Sequence, residues 1–164
     1  MDNKTKNIVF AALLAALTCV ATMIIKIPSP LKGYINLGDC VVLLSGWVLG
    51  PFYGFFAAGI GSALADIISS YFIYAPATFV IKGLMAVVAF KIAEKNVNLS
   101  GKILSGIVAE IIMILGYFVF EGFMYGFKAS LVNIPANGVQ GIAGIVIGVL
   151  LIKLFEKNEI INKE

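Results

Sequence analysis

The residues able to do chemistry in this chain are the few ionisable side chains set inside its apolar runs. Asp66 and Lys82 stand sixteen positions apart in ADIISSYFIYAPATFVIKG. Glu110, Tyr117 and Glu121 fall within an arc of about 40° if that segment is helical, making one polar stripe. In VNIPANGVQG, Asn133, Asn137 and Gln140 share an arc of about 60°. Groups of this kind in apolar sequence have two uses. They join helices as ion pairs and hydrogen bonds, Asp66 with Lys82 across a tight hairpin, or they line a cavity in which a few placed polar groups hold a small molecule. Catalysis is not expected of them: the chain has no histidine, which removes His-based triads, His–metal sites and histidine proton relays together. Cys19 and Cys40 have no metal-ligand spacing and read as small buried hydrophobes. No catalytic residue and no metal site is expected.

The background that surrounds these residues defines the class. Of 164 residues, 60% are hydrophobic and 13% charged, with a mean hydropathy of +1.01. Soluble domains are roughly 45–50% apolar, so this is an integral membrane protein. All 12 cationic residues are lysines, and the net charge of +3 comes from termini and loops rather than from a basic face, which argues against nucleic acid as a partner. The lipid bilayer is the expected surrounding.

Apolar runs and their breakers place one all-α domain over residues 1–164, with helices at about 7–25, 39–49, 52–70, 76–93, 103–125 and 135–155. The first run resembles a signal peptide but is long enough to span and is kept as a helix. Residues 26–38 form a loop, too rich in proline to be helical throughout. The apolar stretch from Asp39 to Ser70 would be about 48 Å long as one helix, against a hydrocarbon core of about 30 Å, so it must fold back, with Gly50-Pro51 as the turn. The first arm, 39–49, is short for a span and reads as tilted or partly re-entrant.

Six spans put both termini on one side of the plasma membrane. Lys4, Lys6, Lys91, Lys95, Lys102, Lys153, Lys157 and Lys163 lie on that side, and Lys26, Lys32 and Lys128 on the other, which makes the termini cytoplasmic. On this topology four helices or their ends bring polar groups to the outer half, and only Glu110 lies deep. That convergence favours a ligand cavity over scattered glue. Tyr117, on the glutamate stripe, is expected to touch the ligand. Tyr34, Trp47, Tyr71, Tyr74 and Tyr125 read instead as interfacial aromatics. Ala11, Ala12, Ala15 and Ala16 make two overlapping small-x-x-x-small steps, a face suited to close helix packing inside the bundle or against another protein.

The proline-containing first loop running into NLGD (36–39), the turn GPFYG (50–54), ALAD (63–66), APATFVIKG (75–83) and PANGVQG (135–141) together resemble the substrate-binding S component of energy-coupling factor (ECF) transporters, in the small-vitamin branch that binds riboflavin, pyridoxine or hydroxymethylpyrimidine. The resemblance covers nearly the whole chain and rests on the order and spacing of these pieces. It implies a six-helix bundle that captures a vitamin from outside under the first loop, and then docks on a transmembrane T component served by two ATPase subunits. It implies a pocket drawn from Asn36, Asp39, Lys82, Tyr117, Glu121, Asn133, Asn137 and Gln140, with Asp66 orienting Lys82 and Glu110 behind the pocket. Asp39 reads equally as an N-cap of the second helix. The alanines at 11, 12, 15 and 16 would meet the T component. No G-x-x-x-x-G-K-[ST] loop is present, so no nucleotide cofactor is expected on this chain and ATP hydrolysis would belong to a partner. The competing reading is a self-contained secondary transporter coupled to protons through Glu110 and Glu121; no internal repeat of the kind many such transporters carry supports it.

Overall fold

The computed structural model describes residues 3–31 and 33–157; Lys32 and Lys163, both used in the lysine count, lie outside them. The element order is α1 (Asn3–Ile24), β1 (Lys26–Pro28), β2 (Tyr34–Asn36), α2 (Asp39–Ile68), α3 (Ala75–Ala93), α4 (Leu99–Tyr125), the short α5 (Phe127–Ser130), a 3-10 turn (Leu131–Asn133) and α6 (Ile134–Lys157). Five helices, α1, α2, α3, α4 and α6, are long and apolar enough to cross a membrane.

The 30-residue α2 is broken. Gly50 has φ 74° and ψ −175°, a backbone region essentially reserved for glycine, and Pro51 follows at a position where its missing N–H costs nothing. The break folds the chain back on itself. A Cβ placed on Gly54 would lie 2.8 Å from the carbonyl oxygen of Ser45 and 3.0 Å from the Cα of Gly46, whereas residues eight apart in an unbroken helix are separated by about 12 Å. Residues 39–49 therefore form one arm of a hairpin and 51–68 the other.

The first arm is the centre of the bundle. Every residue from Asp39 to Gly46 is buried, so this segment meets protein on all sides and lipid on none. On one side Val42 and Leu43 join Ala58, Ile81, Met85, Ala86, Ala89, Ala109 and Met113, tying α2 to α3 and α4. On the other, Cys40, Val41, Leu44 and Ala57 meet Leu14 of α1 and Ile152 of α6. Trp47, half-buried, packs against both clusters and donates from Nε1 to Ser105 Oγ at 2.9 Å. Cys40 is buried and hydrogen-bonds the Leu37 carbonyl, and Cys19 lies half-buried beside Met23.

Two helix starts differ from their expected places, for local reasons. α1 is already helical at Asn3, the first described residue, because a polar first turn can extend a helix beyond its apolar stretch. α4 begins at Leu99, where the Asn98 side chain accepts from the Gly101 N–H at 2.9 Å and caps the helix. The fold also departs from all-α at one point: β1 and β2 pair antiparallel, with Lys26 opposite Asn36, Ile27 opposite Ile35 and Pro28 opposite Tyr34. Pro28 and Pro30 deny this segment a helix, and a short hairpin gives its backbone groups partners instead. At the far end of the bundle Lys102 of α4 pairs with Glu156 of α6.

Gly50→Ala forces a side chain into the glycine-only region on which the fold-back turns, at a cost of about 1–3 kcal/mol. The melting temperature of the purified protein, followed by Trp47 fluorescence in detergent, should fall by several degrees. An unchanged melting temperature would mean that the turn at 50 does not limit stability.

Candidate functional site

Under the β1–β2 hairpin lies a cavity with about 490 Å³ of atom-free space, part of it continuous with the outside. Each element brings its share. Thr22 comes from the end of α1, Ser29, Gly33, Tyr34 and Asn36 from the hairpin, and Ser62 and Asp66 from the second arm of α2. Tyr71 and Tyr74 precede α3, Thr78 and Lys82 lie on it, and the wall is completed by Tyr117 and Glu121 of α4 and by Asn137 and Gln140 of α6. The pairs Ser62/Asp66, Thr78/Lys82 and Tyr117/Glu121 are each four residues apart, so helical geometry alone aims both members of each pair the same way.

The hairpin is fastened to the helices by side chains of the same wall. Tyr34 donates its hydroxyl to Asp66 Oδ1 at 2.5 Å. Tyr74 donates to the Leu31 carbonyl at 2.9 Å and lies 3.4 Å from Glu121 Oε1. Gln140 Oε1 accepts from the Asn36 backbone N–H at 2.9 Å, and the Asn36 side chain in turn accepts from the Gly38 N–H at 2.8 Å. Lys26 reaches Ser69 from the rim. Burial, and then the neighbouring Asp66 carboxylate, push the Tyr34 phenol well above its ordinary range, so it stays protonated and able to donate. The rings of Tyr34 and Tyr71 lie 4.8 Å apart, and Tyr74 packs edge-on against Phe120.

The charges are arranged differently from expectation. Lys82 pairs with Asp39 and not with Asp66. Asp39 is the first residue of α2, preceded by Gly38, so it is not the N-cap; its side chain turns into the bundle. There Gln140 Nε2 donates to Asp39 Oδ2 at 2.6 Å, linking the pair to the hairpin through Asn36. The fold-back at Gly50 explains the choice: it buries the start of α2 at the centre, where Asp39, 0% exposed, faces α3, while Asp66 at the far end of the second arm is taken by Tyr34. Lys82 Nζ also lies 5.6 Å from the centre of the Tyr117 ring, and Tyr117 shares a 3.0 Å hydrogen bond with Thr78.

Of the residues the sequence pointed to, Asn36, Lys82, Tyr117, Glu121, Asn137 and Gln140 line the cavity, and so does Asp66. Asp39 and Asn133 do not. Asp39 stands behind Lys82, and Asn133 stands behind Glu121, donating to its Oε1 at 2.8 Å. Glu110 is buried between α4 and α6, close to where side chains on Gly141 and Gly144 would sit, with neither oxygen hydrogen-bonded among the described residues. Tyr34, Tyr71 and Tyr74, read as interfacial, are cavity residues. The signal that could have found them was the four-residue spacing of polar side chains facing them from α2 and α3. Ala11 and Ala15 pack toward α2, whereas Ala12 and Ala16 are exposed, so the alanine face is divided between the bundle and its outer surface.

Comparison with known proteins agrees with this architecture. The profile of the ECF-type riboflavin transporter S component family matches residues 2–157. An uncharacterised protein in the gap 3′ region of Pyrococcus woesei is 37% identical over 130 residues, 79% of this chain and 87% of that protein. The thiamine precursor transporter HmpT of Lactococcus lactis subsp. cremoris is 26% identical over 165 residues, 99% of this chain and 95% of its own. Among solved structures, the S component of a bacterial ECF transporter superposes with a TM-score of 0.78 at 23% identity, over 94% of this chain and 98% of that one. The S component for biotin from an ECF-type ABC transporter gives 0.64 at 21% identity, over 93% and 95%. A multi-pass helical membrane chain with a hairpin-covered polar cavity, matched by the profile over nearly its whole length, belongs to the family of ECF-type riboflavin transporter S components.

Proposed function

We propose that the cavity captures a small vitamin or vitamin precursor from outside the cell, and that this S component then delivers it by docking on a T component powered by two ATPase subunits. The observation that carries the reading is where hydrogen bonding fails. Of the eight buried side-chain atoms without a partner among the described residues, five belong to the cavity wall: Thr22 Oγ1, Ser29 Oγ, Ser62 Oγ, Asp66 Oδ2 and Glu121 Oε2. Leaving buried polar atoms unsatisfied costs about 1–3 kcal/mol each, and a bound solute would supply their partners. The side chains that fasten the hairpin also belong to the wall, so the hairpin is the natural cap over a bound ligand.

The six-span topology with cytoplasmic termini is part of this proposal. Lys102 and Glu156 lie at the end of the bundle opposite the cavity, where most lysines of the chain cluster, and the positive-inside rule then turns the cavity mouth outward. The relatives point to heteroaromatic solutes, a flavin in one case and a thiamine precursor in the other. The exposed Ala12 and Ala16 on α1 offer a surface without bulk on which a T component helix can pack. No nucleotide site is assigned to this chain.

The first test is native mass spectrometry of the chain purified alone in mild detergent. A stoichiometric small-molecule adduct is expected. Solute uptake by the chain alone in liposomes under a pH gradient would instead establish the self-contained transporter. Ala12→Leu should leave ligand binding by the isolated protein intact and lower uptake by the assembled transporter at least severalfold; undiminished uptake would remove α1 as the docking face. For the central ion pair, Lys82→Met or Asp39→Asn alone leaves a buried partner unmatched and should each cost about 3–5 kcal/mol of stability. The double variant should recover much of that loss in a thermal unfolding cycle, and strictly additive losses would show that the two side chains do not interact.

A further inference from the structure

One buried ionisable side chain lies off the cavity wall and takes no part in the hydrogen bonds around it. Glu110 of α4 is 4% exposed, and neither of its carboxyl oxygens has a partner among the described residues. α6 leaves room for it. A Cβ placed on Gly141 would lie 3.1 Å from Glu110 Oε2, and one on Gly144 would lie 3.0 Å from Oε1 and 2.8 Å from the Cβ of Asp39, so the two acidic side chains meet over one glycine face. Their carboxyl groups come within hydrogen-bonding reach of each other. The other ionisable groups facing Glu110 are few. α2 brings the Cys40 thiol, which donates to the Leu37 carbonyl, and α3 brings Lys82. The charged residues of α6, Lys153, Glu156 and Lys157, lie more than two turns beyond Gly144. On α4 itself Tyr117 and Lys102 lie about two turns to either side, each with its own partner, Thr78 and Glu156. The hairpin meets α4 at Glu121, beside Gly33, about 16 Å of helix from Glu110 and a gap longer than any side chain.

We propose that Glu110 is a proton-binding site, a neutral carboxylic acid that donates its hydrogen to the Asp39 carboxylate and so leaves the centre of the bundle without net charge. One lysine cannot neutralise two buried carboxylates. Lys82 and Gln140 already direct their N–H groups to Asp39 Oδ1 and Oδ2, and an ionised Glu110 would find no donor at either oxygen. A bare carboxylate in an apolar interior is costly, and a second carboxylate beside it adds repulsion. Protonation removes both costs, because a carboxylic acid carries an O–H to donate and Asp39 keeps lone pairs to accept it. Carboxyl groups sharing one apolar site hold a proton between them for the same reason. A hard cation is a poorer occupant: it takes about six oxygen ligands, and no cluster of three or more acidic, histidine or cysteine side chains exists among the described residues. The consequence is positional. With Glu110 neutral, Asp39 is the acceptor for Lys82 and Gln140, both on the cavity wall, and Gln140 in turn holds Asn36 of the hairpin. An ionised Glu110 would compete with Asp39 for Lys82. The inference does not draw on what the cavity binds, and either reading stands if the other fails.

Infrared spectroscopy of the full-length chain in an ester-free detergent at neutral pH reads the proton directly. The carbonyl stretch of a protonated carboxylic acid, recognised by its shift in D2O, should be present in the wild type and lose intensity in Glu110→Gln. Glutamine keeps a neutral donor beside Asp39, so the variant should fold and melt within a few degrees of the wild type. A proton held by the folded chain and released on unfolding makes stability fall as pH rises, so the wild-type melting temperature should drop from mildly acid to mildly alkaline pH, and drop less in Glu110→Gln. A carbonyl band of equal intensity in the two proteins overturns the proposal, as does a pH dependence that the substitution leaves unchanged. If sodium chloride raises the melting temperature over choline chloride of equal ionic strength, in the wild type and not in the variant, the site belongs to a cation and the proton is overturned. Should the glutamine variant not fold, a Glu121→Gln chain labelled with 13C-carboxyl glutamate replaces it: the acid band must move with the label, and a band that stays in place overturns the proposal.

Discussion

An ion pair in the middle of an apolar bundle is the constraint around which this structure is arranged. Asp39 and Lys82 are both almost wholly buried, and neither charge would be tolerable there alone. Keeping them together requires the start of α2 to lie at the bundle centre against α3. That placement needs the fold-back at Gly50, since a straight helix through residues 39–68 could not also return its second arm to the same wall. Gln140 extends the pair to α6, and through Asn36 to the hairpin, so the charge pair, the helix break and the cap over the cavity form one connected arrangement.

The same arrangement divides the polar groups by task. At the centre Asp39 accepts from both Lys82 and Gln140 and so joins three helices, while Glu110 close by has no hydrogen-bond partner among the described residues. Those nearer the hairpin are half-satisfied. Asp66 and Glu121 each spend one oxygen on the protein and keep the other, and three hydroxyls of the wall keep theirs. In a packed interior an unsatisfied network is a defect; on the wall of a cavity it leaves hydrogen-bonding capacity facing open space. Rigid helices fix the carboxylates, and side-chain hydrogen bonds tie the hairpin down over them.

Much of the cavity was legible in the sequence because helical spacing is a local property. Tyr117 with Glu121, and Asn137 with Gln140, share faces whatever surrounds them, and all four reach the wall. The pairing of Lys82 was not legible. Two aspartates were available to it, and sequence distance favoured Asp66 across the α2–α3 turn, while the true partner depended on which arm of α2 went to the centre. The tyrosines at 34, 71 and 74 were misplaced for a related reason: tyrosine suits both a membrane interface and a pocket, and composition cannot separate the two. Asn133 shared an arc with residues that line the cavity, yet it lies in a 3-10 turn ahead of α6, where the helical angle no longer describes its direction.

The amino-acid sequence by itself determined that the chain lives in a membrane as a helical bundle, that it turns back at Gly50-Pro51, and that polar residues gather toward one end. Hydropathy, helix length and the glycine–proline step are local and additive, and they need no knowledge of neighbours. Only the tertiary structure decided which carboxylate neutralises Lys82, which ones are left facing the cavity, and that a two-stranded hairpin closes over them. Those outcomes depend on contacts between residues as far apart as Asn36 and Gln140, and in a low-dielectric interior such contacts determine where a charge can reside.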